Sequence, residues 1–431
     1  MKLKYLVLAC VCLGIALIAT SVSGTGTASA LPGQQDSDCV ECHADTNPGI
    51  VEQHKASKHS ASGLDCSTCH GTLHTGEDDA DKATMPTPET CEMCHPGQVE
   101  QFQAGKHNLA WAVMNAIPML HSQPIGVHVG LKGCGGCHKV GAKTEEEIAQ
   151  LRYGVAGCDA CHTRHTFSAA EARRPETCST CHMGFDHPQW EMYNSSKHGA
   201  IYQIEGNTWD WEASLADGAS YRAPTCQFCH MPKGDHAVMT SWGFLGLRVE
   251  EPDEEWAEIR TPILKAVGAL DAEGNPGPLF EAVGDLQLAR LTMEDWQAAR
   301  DEMVNVCTHC HSKSFALANM EESDALLKEA DRVFAHSIET VKDLYEDGIL
   351  PEAEGYPSPP YPFLLMFYDA PTQIEQDLYL SWMEYRQRTF QGAFHNSPDY
   401  MHWYGWAPLN QNDLRIQTQA EELRATASET E

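Results

Sequence analysis

Apolar residues concentrate in three places along this chain, and each calls for a different element. The first is an unbroken run from Tyr5 to Thr20, preceded by Lys2 and Lys4 and followed by the small residues Ala28-Ser29-Ala30. A basic start, an apolar stretch and a small-residue site make an export signal over residues 1–30, with the mature chain starting near Leu31. About sixteen apolar residues are short of the roughly twenty that span a bilayer, so a retained membrane helix is the weaker reading. Lipidation of Cys10 is weaker still, because the regions before it are abbreviated.

The second place follows His311, where Leu326, Val333, Phe334, Ile338, Val341, Leu344 and Tyr345 recur at three or four residues, the period of a long amphipathic helix. The third series, Leu378, Trp382, Met383, Tyr385, Phe390 and Phe394, begins after Pro371 and weakens at Gly392, just before Ser397-Pro398. Two long helices are therefore expected to end the chain, the second leading into an aromatic segment. Such stripes pack either within a subunit or between subunits, and no heptad run decides between them. Residues 31–311 show little periodicity, and 231–306, rich in Glu, Asp, Trp and Pro, reads as a loop-rich insertion closing with a helix near Thr292.

Cysteine usage changes this picture. Of eighteen cysteines, Cys10 and Cys12 leave with the signal, and the other sixteen all fall into Cys-x-x-Cys-His. The motifs run from Cys39 through Cys42 to His43, Cys66 through Cys69 to His70, Cys91 through Cys94 to His95, and Cys134 through Cys137 to His138. They continue from Cys158 through Cys161 to His162, Cys178 through Cys181 to His182, Cys226 through Cys229 to His230, and Cys307 through Cys310 to His311. Two thiols at this spacing reach the two vinyl groups of one haem, and the adjacent histidine then faces the iron as proximal ligand. Eight motifs imply eight c-type haems. Zinc ribbons and disulfide frameworks also use paired cysteines, but neither needs a histidine after every second one.

With about fifty mature residues for each haem, porphyrin faces must stand in for much of a side-chain core. The expected fold is mainly α: a haem-packed, loop-rich region over 31–311, then a helical region over 312–431 carrying the aromatic segment. Haems this dense imply a redox wire. The formal charge of −32, more negative once Lys2 and Lys4 are removed, argues against nucleic acid as a partner. It suits either a solvated surface or a docking face for a basic electron-transfer partner.

Fourteen histidines remain beyond the proximal eight. Electron-transfer haems fill both axial positions, whereas a haem that does chemistry keeps one open. His59, His107 and His198 each follow a lysine in similar surroundings and are expected distal ligands; His74, His128, His165 and His236 complete a set of seven, with His121, His336 and His402 in reserve.

Taken together, the eight motifs, Met183-Gly184-Phe185-Asp186-His187-Pro188 directly after the sixth, and Ser397-Pro398-Asp399-Tyr400-Met401-His402-Trp403-Tyr404-Gly405 resemble the octahaem hydroxylamine oxidoreductase family, which includes hydrazine dehydrogenase-like members. The resemblance covers most of the mature chain. It implies that the fourth haem, on Cys134, Cys137 and His138, is catalytic and open on its distal face. It implies that Asp186 and His187 accept protons there. It further implies a homotrimer in which Tyr400, or failing that Tyr404, bonds covalently to a neighbour's catalytic porphyrin. Taken alone, Asp186 and His187 could brace the turn before Pro188, His187 could ligate another iron, and the tyrosines could be packing aromatics.

The implied reaction is oxidation of hydroxylamine to nitric oxide or nitrite, with electrons leaving through seven further haems to a cytochrome c-type acceptor. The implied setting is a periplasm, or the lumen of an internal organelle in an ammonium-oxidising bacterium. Hydrazine dehydrogenation, nitrite or hydroxylamine reduction, and a non-enzymatic electron conduit are the alternatives. Related pentahaem nitrite and octahaem tetrathionate reductases use a lysine on the active haem, and no motif here ends in lysine. The chain is compact for the family, and the family's additional distal tyrosine has no match in it.

Overall fold

The computed structural model describes residues 38–116, 123–152, 155, 157–215, 220–366 and 369–430. The expected export signal over 1–30, Cys10, Cys12 and His121 lie outside them. The described chain is mainly helical; its strands are Leu247–Arg248 and Ala289–Arg290, two residues each, paired in parallel. A mainly α architecture follows, as expected.

Up to His230 the helices are short, and several are little more than the motif itself, as in Cys66–His70, Gly135–His138 and Cys226–His230. A helical turn brings both cysteines and the histidine of a motif to one side. The conventional core lies elsewhere. It is built from Ile263, Phe334, Ile338, Val341, Leu344, Leu378, Trp382 and Ile416, all at most a few per cent exposed.

The long helix, Lys313–Glu346, is capped by Ser312, whose side chain accepts from the Phe315 amide. It starts before the periodic stretch at Leu326 because its first buried positions are Ala316, Met320 and Ser323, two of them too small to register as a hydrophobic stripe. The penultimate helix, 373–394, opens with a Thr372–Glu375 capping box and widens to π spacing at Ser381–Arg386.

Two features differ from expectation. A third long helix spans 398–430, where the sequence suggested two long helices with the second leading into an aromatic segment. Its buried residues Leu409, Asn412, Ile416 and Ala420 are sparse and partly polar, so the periodicity is faint. Gly392, which reads as a weakening, is a crossing point. A Cβ there would lie 2.9 Å from Met401 backbone, and one on Gly405 would lie 2.5 Å from the Thr389 amide nitrogen, so the last two helices cross in direct backbone contact.

The insertion over 231–306 closes with the helix expected near Thr292, which caps Met293–Cys307. It also contributes the helix Glu254–Ala266, whose Trp256, Arg260, Ile263 and Leu264 are buried. One carboxylate joins it to the helices that follow. Asp331 on the long helix, fully buried, accepts from Arg260 Nε at 2.9 Å, Trp256 Nε1 at 2.8 Å and Arg386 Nε at 2.7 Å. Arg386 also donates to the Leu245 carbonyl at 2.7 Å, and Arg260 to Glu251 at 3.0 Å.

Removing one partner of a buried ion network leaves uncompensated charge, at about 3–5 kcal/mol. Asp331→Asn is expected to lower stability by about that amount, read as a lower thermal midpoint of the haem-loaded protein. An unchanged midpoint would show that the two guanidinium groups are adequately held without it.

Candidate active site on a haem-binding scaffold

A single cavity of about 2400 Å³ runs through the N-terminal region, lined by at least one cysteine from each of the eight Cys-x-x-Cys-His motifs. Across it, histidines face each other in pairs. His43 lies 6.1 Å from His74, ring centre to ring centre, His70 6.2 Å from His165, and His95 6.1 Å from His59. His162 lies 6.3 Å from His236, His182 6.0 Å from His107, His230 6.1 Å from His395, and His311 6.2 Å from His198. A metal between two imidazoles sits about 2.0–2.1 Å from each nitrogen, and roughly 1.1 Å from nitrogen to ring centre on either side brings the separation to about 6.3 Å. The seven pairs thus fit bis-histidine haem iron.

The deeply buried members of these pairs also suit ligation, which needs the neutral ring. Burial pushes His182 down to about 3 and His395 down to about 4, in each case helped by a facing histidine. Two of the three Lys-His sites share a local device. Ser57 and Ser196 cap short helices by accepting from the Ser60 and Gly199 amides, at 3.0 and 3.1 Å, which puts His59 and His198 in the first turn.

Six of the seven expected distal histidines, His59, His74, His107, His165, His198 and His236, therefore face proximal ones. His128 does not; it stacks on Trp111, 6.3 Å away at 15°. His395 takes the position facing His230, with its Nδ1 on the Gln391 carbonyl at 2.7 Å. Its signal was hidden at the end of an apolar helical series. Of the reserve histidines, His336 pairs with Asp413 at 3.1 Å, and His402 packs edge-on against Trp403.

Neighbouring thiols order the motifs. Cys39 lies beside Cys66, and Cys69 beside Cys91 and Cys94, while the Cys91 thiol neighbours that of Cys158. Cys161 lies beside Cys178 and Cys181, the Cys178 thiol neighbours that of Cys226, and Cys229 adjoins Cys307 and Cys310. The line runs through motifs one, two, three, five, six, seven and eight. The fourth motif branches from the sixth, through Cys137 beside Cys181.

The fourth motif is built differently. Glycines surround Cys134 because the loop before it presses close: a Cβ on Gly133 would lie 2.0 Å from the Val127 carbonyl oxygen, and one on Gly135 2.4 Å from that of Val129. Facing His138 is His187, 6.5 Å away at 76°. Both His187 nitrogens are engaged, Nδ1 with the Asp186 carboxylate and Nε2 with the Cys181 carbonyl at 3.0 Å. Burial would lower the His187 pKa, but the Asp186 hydrogen bond and charge, with the Cys181 carbonyl, outweigh it, and the net shift is upward. His138 is shifted down by burial and by His187.

The loop carrying this pair is clasped from two sides. The Gly184 amide donates to Glu191 at 3.2 Å, Arg388 Nε to the Phe185 carbonyl at 3.2 Å, and Gln391 Nε2 to the Asp186 carbonyl at 3.4 Å. Gly184 itself has φ +94°, a conformation that side chains resist. A relay joins the loop to the sixth motif: His182 Nδ1 lies 3.2 Å from Gln189 Oε1, and Gln189 Nε2 donates to Gln391 Oε1 at 2.7 Å. Neither glutamine belongs to a recognisable motif, and nothing local in the sequence marks them. Tyr400 stacks on Tyr404 at 4.6 Å, with Tyr404 and Trp403 more than half exposed. Among the described contacts none joins Tyr400 to His138, Asp186 or His187.

Comparison with known proteins agrees with this scaffold. The family model described as seven times multi-haem cytochrome CxxCH matches residues 35–262 and 284–356. A probable nitrite reductase-hydroxylamine oxidoreductase fusion protein of Kuenenia stuttgartiensis is 29% identical over 90% of the chain, which spans 52% of that relative's length. Among solved structures, a reducing HAO-like protein complex of the same organism superposes with a TM-score of 0.67 at 26% identity, covering 90% of this chain and 85% of that one. A hypothetical multiheme protein shares the fold, with a TM-score of 0.66 at 20% identity, covering 90% and 96%.

Replacing His395 by glycine is expected to convert one low-spin haem to high-spin, whereas His128→Gly leaves the low-spin count unchanged. Electron paramagnetic resonance of the two holoproteins reads this directly, and the opposite pattern would return the seventh haem to His128.

Proposed function

We propose, from the premise that the chain belongs to the multihaem cytochrome CxxCH family and is hydroxylamine-oxidoreductase-like, that it oxidises hydroxylamine over His138, at the fourth of eight c-type haems. The observation that carries this reading is the His187 ring. Seven facing pairs leave a nitrogen free for metal, but here Asp186 and the Cys181 carbonyl hold both nitrogens of the distal histidine. That leaves the fourth haem with an open face.

The haem, when bound, supplies a metal to hold the substrate nitrogen and a sink for its electrons. The protein's part is proton handling. Conversion of hydroxylamine to nitric oxide releases three protons and three electrons; going on to nitrite adds a water and releases five protons and four electrons in all. Asp186 and His187, hydrogen-bonded together beside this face, accept as one pair: Nε2 gives its hydrogen to the Cys181 carbonyl, so an arriving proton is held between Nδ1 and the Asp186 carboxylate. Gln391 and Arg388 hold their loop, and the facing histidine pairs would hold further haems, which would supply an electron path from the sixth motif toward a cytochrome c-type acceptor. In this reading the protein is exported to a periplasm or an organelle lumen and works as a homotrimer. Tyr400, on an exposed aromatic surface beside Tyr404, bonds to a neighbour's catalytic porphyrin. Hydrazine, oxidised to dinitrogen with loss of four protons and four electrons, fits the same groups.

The reverse direction is the second reading, favoured by the relatives named as a nitrite reductase fusion and as a reducing HAO-like complex. Steady-state assays in both directions separate them. His187→Gln and Asp186→Asn are expected to lower kcat for hydroxylamine oxidation by about 10²–10⁴-fold, the usual contribution of a positioned proton acceptor. Activity confined to a reduced donor with nitrite or hydroxylamine would transfer the assignment to reduction. A haem-stained denaturing gel is expected to show a band near three chain masses that Tyr400→Phe abolishes; a monomer band in the wild type would remove the crosslink.

A further inference from the structure

The carboxylate on His74 stands apart from the other contacts of the axial histidines. His74 Nδ1 donates to Asp79 Oδ1 at 2.9 Å. The same oxygen accepts the Thr75 and Gly76 amides at 2.9 Å each, and Oδ2 accepts the Thr75 hydroxyl at 3.1 Å. Four donors satisfy this carboxylate as an anion. On the other side of the same cofactor position, His43 gives its Nδ1 to the neutral amide oxygen of Asn47 at 2.9 Å. His70, His182, His230 and His395 also meet only neutral carbonyl or amide oxygens. Among the described residues, His187 has the only other histidine–carboxylate bond at a haem position, and its Nε2 is not free for metal.

We propose that Asp79 makes haem 1 a low-potential end station of the wire by charging its axial ligand His74. An anion on Nδ1 raises the basicity of the ring and favours ferric over ferrous iron. Lys82, 3.6 Å from Asp79, offsets this little, because its side chain is 58% exposed and the pair is screened. Cys39 of the first motif neighbours Cys66 of the second, and the line of neighbouring thiols begins with this haem position. An electron arriving there runs inward, and one arriving from the interior does not rest there. Haem 1 is thus not a store.

This inference rests on bis-histidine ligation of haem 1 and is independent of the substrate. It is tested by potentiometric titration of the purified holoprotein followed by electron paramagnetic resonance. His74→Gly identifies the haem 1 signal as the low-spin signal it removes. Asp79→Asn keeps an acceptor for His74 and the two amides while removing the charge. At a fixed potential it is expected to leave haem 1 about tenfold more reduced, equivalent to about 59 mV for a one-electron couple. Asp79→Glu is expected to restore most of the wild-type value, and the other signals stay in place. An unmoved haem 1 signal in Asp79→Asn, or an equal shift of every haem, overturns the proposal while leaving the ligation intact. If His74→Gly removes no low-spin signal, the ligation reading falls and the proposal with it.

Discussion

Two imidazoles held about six ångström apart across an apolar cavity are the constraint on which this molecule is built. A histidine buried without a partner is costly, and here burial lowers the pKa of His107, His162 and His230, which favours their neutral form. That arrangement is useful only with a metal between the rings. The N-terminal region accordingly has short helices, many glycines and little aliphatic core, and its cavity is lined from end to end by attachment cysteines. The polypeptide there is a holder whose interior is the cofactor.

The C-terminal helices supply what the holder lacks, a packed side-chain core, and they use it to shape the one position that departs from the pattern. Asp331 draws Arg260 of the insertion and Arg386 of the penultimate helix together. One turn beyond Arg386, Gln387, Arg388 and Gln391 reach the Phe244, Phe185 and Asp186 carbonyls. The loop held this way presents Asp186 and His187 to the fourth haem position and ties them, through Gln189, to the proximal histidine of the sixth. Asp186, His187 and the sixth motif's His182 are therefore fixed by one hydrogen-bonded assembly, so that a shift in the helix would be felt at both positions.

How much of this could be read from the chain depends on how local each signal is. Attachment residues are fully local, five positions each, and so were legible. Distal histidines come from distant segments, yet His59 and His198 were recoverable because a serine cap repeats around them. His395 carries no such mark: it ends an apolar helix, and its facing residue His230 lies far away in sequence. His128 looked equally plausible and stacks on Trp111 instead. The terminal helix was missed because Leu409, Ile416 and Ala420 leave long polar gaps. The glutamine relay was invisible for the same reason that makes it effective, since two neutral side chains from separate helices acquire a role only when folding joins them.

The central claim is that seven haem positions are closed by paired histidines and the fourth is open beneath a histidine whose nitrogens are both occupied. Counting spin states in the oxidised wild-type holoprotein by magnetic circular dichroism, before and after addition of cyanide, tests this most directly. The account predicts seven low-spin haems and one high-spin haem, with cyanide converting that one alone. Eight low-spin haems that ignore cyanide would contradict it and make the molecule an electron conduit.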